Sequence, residues 1–220
     1  MKNKFYFYNK CKNQLMKTIS LLFIAITTTG FAIISCKKNV NQLSLLPPIT
    51  DTGANTFGCL VNGVAMLPRD GTPTWTTPSG FKAVELVSSS QNQWIEFNIG
   101  NYQDGKPINS MMIHLQNLQQ LKEGDYVWKQ TTFENAVTGF PVYYENHIYC
   151  RAFNYNKNIW IYYGSYDSSG KITITKYDAL NHIISGTFYG KLCEKNGTDT
   201  ISITNGRFDI NWTTIRYKKF

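Results

Sequence analysis

GKITITKYDALNHIISGTFYGKL, residues 170–192, and TISITNGRFDI, residues 200–210, carry the clearest structural pattern in the chain. Apolar and polar residues alternate through both stretches, so successive side chains fall on opposite faces of an extended strand. Ile172, Ile174, Ile184 and Phe188 supply core-facing positions, while Gly170, Gly186 and Gly206 fit turns or close approaches between strands. Two turns are specified. Asp178-Ala179-Leu180-Asn181 joins two alternating runs, and Asn205-Gly206 stands between Ile201-Ser202-Ile203 and Phe208-Asp209-Ile210. An Asn-Gly pair in that setting predicts a hairpin, because a type I′ turn needs positive φ at both central residues.

The same period extends upstream. In Trp94 to Ile99, Ile95, Phe97 and Ile99 oppose Trp94, Glu96 and Asn98, which predicts a half-buried strand. Met111, Ile113 and Leu115 oppose Ser110, Met112 and His114, and Ile148, Cys150 and Ala152 oppose Tyr149, Arg151 and Phe153. Further strands are predicted at 57–61, 81–87, 125–128, 141–145, 159–163, 171–177, 182–190, 199–204 and 207–214. No window has the period of an amphipathic helix. About ten short strands in one domain predict an all-β fold, either an antiparallel β-sandwich or a flattened up-and-down barrel.

Three motifs resemble a family of uncharacterised Bacteroidetes-type lipoproteins that carry a domain of unknown function. They are TFGCLVNGVAMLP at residues 56–68, Gly124-Asp125-Tyr126, and the C-terminal pattern ITITKYD, ISGTF and ITNGRFD. The resemblance runs from Phe57 to about Trp212. It implies a lipid-anchored protein with a compact β domain, and it brings no catalytic or binding residue with it.

The N-terminal residues point the same way. Five lysines precede the apolar run Leu21 to Ser35, and Cys36 follows directly, which is the layout of a signal peptide over residues 1–35. The run is shorter than the 20 or so apolar residues a membrane-spanning helix needs. Met16-Lys17 lies just before it and is the expected true start. Ile33-Ile34-Ser35-Cys36 resembles a relaxed lipobox, with Cys36 as the acylated residue. Residues 36–56, polar and interrupted by Pro47-Pro48, read as a flexible tether that spans on the order of 25 Å as a coil. The domain is expected over residues 57–220, in the cell envelope of a Gram-negative bacterium and held to the outer membrane through its lipid.

The formal charge of +8 shrinks on this reading. Residues 1–35 hold five of the 22 basic side chains and no acid, so 17 bases face 14 acids and the remainder is +3. The one later cluster is Arg216-Tyr217-Lys218-Lys219, a short basic tail, and nucleic acid is not an expected partner.

Chemistry is sparse. His114, His147 and His182 are spread over separate strands and turns, where surface positions are expected. No HExxH, GxSxG or phosphate-binding loop occurs, so no catalytic residue, metal site or cofactor is expected. Glu85, Glu96, Glu145, Asp178 and Asp209 are the acids that a glycoside hydrolase would have to draw its pair from. Of the cysteines left after Cys36, Cys59 and Cys193 are the candidate bridge and Cys150 reads as a buried free thiol. Aromatic residues make up 15% of the chain. Trp94, Trp160 and Tyr162 are the candidates for an exposed stacking platform, though aromatics also fill strand cores. The function expected is therefore a lipid-anchored envelope lipoprotein with a non-catalytic module that binds a glycan or protein or serves structurally. The rival expectation is an envelope hydrolase acting on glycans.

Overall fold

The computed structural model describes residues 40–78, 80–88, 94–103, 106–117, 122–133, 145–154 and 158–220. The predicted signal segment 1–35, Cys36 and most of the predicted strand 141–145 lie outside the described residues. Within them the protein is all-β, with strands β1 (Thr56–Val61), β2 (Val64–Met66), β3 (Val84–Ser88), β4 (Trp94–Gln103), β5 (Lys106–Gln116) and β6 (Gly124–Val127). These are followed by β7 (His147–Asn154), β8 (Ile159–Gly164), β9 (Gly170–Asp178), β10 (Ile183–Glu194) and β11 (Thr200–Asn211). Helical backbone among the described residues is confined to two 3₁₀ turns, Gln42–Leu45 and Ile215–Tyr217.

All pairings between the named strands are antiparallel, with one isolated parallel bridge between Arg69 and Asn101, and the strands run in the order β2-β1-β11-β10-β8-β7-β5-β4-β3 without closing into a barrel. The 12-residue β10 is the corner. Its first part, Ile183 to Gly190, pairs with β9, and its last two residues, Cys193 and Glu194, pair with Gly164 and Tyr163 of β8. One strand thus belongs to both layers of a sandwich-like fold. Between the layers, Phe57, Ile172, Ile184, Phe188, Phe208 and Ile210 face Phe97, Ile99, Met111, Ile113 and Ile148 in one buried cluster. Phe97 and Phe208 meet across it with ring centroids 5.3 Å apart. Each such side chain contributes about 1.5–3 kcal/mol by leaving water.

Two Asn-Gly pairs behave differently. Asn62-Gly63, with φ of 49° and 79°, makes the two-residue turn that folds β2 back on β1. Asn205-Gly206, predicted to be a hairpin, lies inside the unbroken strand β11. Both halves of β11 pair with the same neighbours, β10 and β1, and the register shifts by one extra β11 residue against each. Asn205 keeps the positive φ of 53° but forms a bulge. A side chain at Gly206 would begin 2.6 Å from the Phe188 ring, so the bulge needs glycine there. The turn at Asp178 to Asn181 forms as predicted, with the Asp178 carboxylate accepting from the Asn181 N–H at 2.9 Å and Nδ2 at 2.8 Å.

Three expectations are corrected by packing. Residues 41–55 of the predicted tether are bound to the domain. Asp209, buried on the outer face of β11, accepts hydrogen bonds from Thr50 Oγ1 (2.7 Å), Ser185 Oγ (2.7 Å) and the backbone N–H groups of Thr52 (3.0 Å), Gly53 (2.7 Å) and Ala54 (3.0 Å). Arg207 donates to the Pro47 carbonyl, and Leu46 is buried. The segment is a strap. Secondly, Cys59 and Cys193 do not bridge; with Cys150 they are free thiols. Cys59 faces the core and Cys193 faces outward from β10, with β11 between their strands, so strand spacing alone sets their backbones at least about 9.5 Å apart, beyond disulfide reach. Burial pushes the Cys59 thiol up to about 12. Thirdly, β4 and β5 are buried on both faces, since Glu96, Met112 and His114 are as inaccessible as Phe97 and Ile113.

Burial alone would raise the Asp209 carboxyl, but the bonds from Thr50, Ala54, Ser185 and Gly53 outweigh it and hold it below the ordinary 3.8. Asp209→Ala leaves several buried donors without acceptors and is expected to cost about 3 kcal/mol or more in urea unfolding. In the native chain this contribution is complete above the ordinary carboxylate value and is lost as pH falls through the lower folded value. An unchanged unfolding midpoint in the variant would rule out the role given to the strap.

Candidate functional site

Where β9 ends, β10 begins and β11 ends, three ring side chains come together. Tyr177 is the next-to-last residue of β9, His182 ends the turn into β10 with φ of 62°, and Trp212 follows β11. Pairing of β9 and β11 on either side of β10 makes the three neighbours. Trp212 donates its backbone N–H to the His182 carbonyl at 3.0 Å, and Asn211 donates through Nδ2 to the Asn181 carbonyl at 3.0 Å. The Tyr177 and Trp212 rings stack at 5.9 Å and 28°, and the His182 ring sits 5.4 Å from Trp212 at 60°. Leu86 and Ser88 of β3 and Ile95 of β4 form the opposite wall of a cleft of about 370 Å³. Burial raises the Tyr177 hydroxyl above its usual value, which keeps it protonated and able to donate.

This volume lies in the range that holds a small ligand, and its described lining combines ring faces with a few polar groups. Strict alternation along β9 would turn Tyr177 away from the core. A register shift opposite Ser185 and Gly186 places it against the core cluster instead, beside Trp212. That irregularity has no mark in the sequence, so the cleft was not foreseen; the adjacency of Tyr177 and Trp212 to the predicted β9–β11 turns was the one available signal.

The predicted platform residues are placed elsewhere and engaged. Trp160 and Tyr162 share the outer face of β8. Trp160 meets Phe153 edge to face at 5.2 Å and lies under the Arg151 guanidinium at 4.7 Å, while Tyr162 meets Phe133 at 6.5 Å. Trp94 stands on β4, three strands away and at the opposite end of the layer, against the His114 ring at 5.8 Å. The structure does not bring the three into one plane.

A second gathering is polar and sealed. On the outer face of β4, β5 and β7, His114 Nδ1 lies 3.1 Å from Glu96 Oε1 and Nε2 lies 3.1 Å from Gln116 Oε1. Both His114 and Glu96 are 0% exposed. The ring of His147 stacks on His114 at 4.9 Å, with Nδ1 3.0 Å from the Glu145 carbonyl oxygen. His114 and His147 were expected at the surface; strand pairing sets them opposite each other under covering chain, and only His182 is exposed as expected. Burial first, and then the charge of the adjacent His114, push the His147 imidazole down to about 4, against the pull of the Glu145 carbonyl. Among the described residues no three His, Cys, Asp or Glu side chains converge as a metal site.

Comparison of the chain with protein-family models, with curated proteins and with solved structures finds no match.

Because His147 takes up a proton only near pH 4 when folded and near 6.5 when unfolded, the unfolded chain binds more protons across that window. Stability is expected to decline as pH falls from about 6.5 towards 4. Urea midpoints measured over this range should fall less steeply in His147→Gln, and equal slopes would exclude His147 as the source.

Proposed function

We propose that this chain is a lipid-anchored, non-catalytic binding module of the bacterial cell envelope, held at the outer membrane through Cys36, whose cleft takes a glycan. The observation that supports ligand binding is the stacked pair Tyr177 and Trp212, facing a cleft of small-ligand size. A sugar ring offers a C–H face to an aromatic ring and hydroxyls to polar groups, and Ser88 and His182 stand at the same cleft to meet them. The described lining contains no carboxylate, whereas glycoside hydrolysis commonly uses a facing pair. The anchor is supported by the lysine-rich start, the short apolar run and the lipobox-like ending at Cys36.

Two experiments test the two halves of this reading. Trp212→Ala should weaken retention on an immobilised panel of envelope and plant glycans by about tenfold, the scale of one lost aromatic contact. Failure of the native protein to bind any glycan on the panel removes the ligand assignment. Cys36→Ala should abolish incorporation of labelled fatty acid and release the protein from the membrane fraction; persistence of both sinks the anchor.

A further inference from the structure

The strap changes how far the domain can stand from a lipid on Cys36. With residues 41–55 bound to β11 and β2, only the four residues 37–40 separate that cysteine from the strap. At full extension the five steps from residue 36 to residue 41 reach about 18 Å, which keeps the strap end of the domain close to a head-group layer about 5–8 Å deep. The point where chain and domain join is defined. Gln42–Leu45 lies along β2, where Gln42 Oε1 accepts the Ala65 N–H at 3.0 Å.

The side chains around that junction suit a lipid surface. Leu43, Leu45 and Val64 are 46%, 44% and 61% exposed. Leu45 continues into a shallow groove of about 300 Å³ that Lys218 also lines. Exposed aliphatic groups enter the boundary between head groups and acyl chains, while a lysine ammonium reaches the phosphates. Pro68, on the same groove, leads into residues 71–81, a stretch without charge that presents Trp75 almost fully to solvent.

We propose that this face, Leu43, Leu45 and Val64 with Lys218 at its rim, lies against the phosphate-bearing head groups of the membrane that holds Cys36. The inference rests on the lipid-anchor reading and adds an orientation to it: the β2 edge faces lipid, and the turn between β9 and β10 faces away.

The test uses the full acylated chain in vesicles of phosphatidylethanolamine and phosphatidylglycerol that carry a nitroxide on the head group. An environment-sensitive fluorophore is placed on Val64→Cys or on Leu180→Cys, each in a Cys193→Ser background, since Cys59 and Cys150 are buried. Leu180 is 91% exposed in the turn that enters β10, three strands from β2, and serves as the far site. Quenching should be several-fold stronger at position 64 than at position 180. Mass spectrometry of the same sample reports the acyl chains on Cys36. Acylated protein with equal quenching at both positions overturns the docked face alone, and protein without acyl chains overturns the anchor on which it rests.

Discussion

One buried carboxylate decides where this domain begins. Asp209 collects three backbone N–H groups and three hydroxyls from elements distant in sequence, and it does so on the outer face of β11, where strand alternation alone would put a solvated acid. Ionised oxygen with several donors is among the stronger neutral-pH contacts available to a protein, and its strength grows as water is removed. The strap it captures covers β11 and β10, so the residues that look like a linker become part of the folded layer. Without Asp209 the middle of the strap would lose its acceptor, leaving the contacts of Gln42, Leu46, Pro47 and Asn55 at its two ends.

The opposite layer is covered too, and by a different device. Glu96, Met112, His114 and Tyr149 lie on the face of β4, β5 and β7 turned away from the inter-layer core, yet they are buried. Residues 128–133 cross nearby: Thr131 donates its N–H to the Ser165 carbonyl, Ser165 Oγ donates to the Lys129 carbonyl, and a side chain at Gly164 would collide with Thr131 and Phe133. The second layer therefore also carries protein on its outer side, over Tyr149 and Gly164. On that same outer face the buried Glu96 and His114 pair with one another.

The legible and the hidden parts of the fold divide along this line. The inward residues Ile95, Phe97, Ile99, Met111, Ile113 and Leu115 alternate cleanly, and the core face they define is the one observed. Alternation says which residues point together; it does not say whether the other face meets water or more protein. His114, on the polar face of its strand, is buried for that reason, whereas His147, which follows a turn-like Glu145-Asn146, is buried because it already belongs to β7. Irregular backbone was equally silent. Asn205-Gly206 satisfies the chemistry of a type I′ turn and of a bulge alike, and only the shared neighbours β1 and β10 select the bulge. The register shift that brings Tyr177 beside Trp212 left no trace in residue types, so the cleft had to be seen in space.

The sequence distance spanned by the strap has a kinetic side. Thr50 and Asp209 are separated by 159 residues, and Gly53 and Asp209 by 156. In a chain synthesised from its N-terminus, the strap emerges long before its acceptor, and the cover over β10 and β11 cannot close until synthesis is nearly finished. Loop closure over such a length is slow to begin, although its entropic cost rises only gradually with length. Until then β10 and β11 lack their lid. Closure of the Asp209 contact thus joins the first described residues of the chain to almost the last strand, and it completes the outer cover only when both ends of the domain are present.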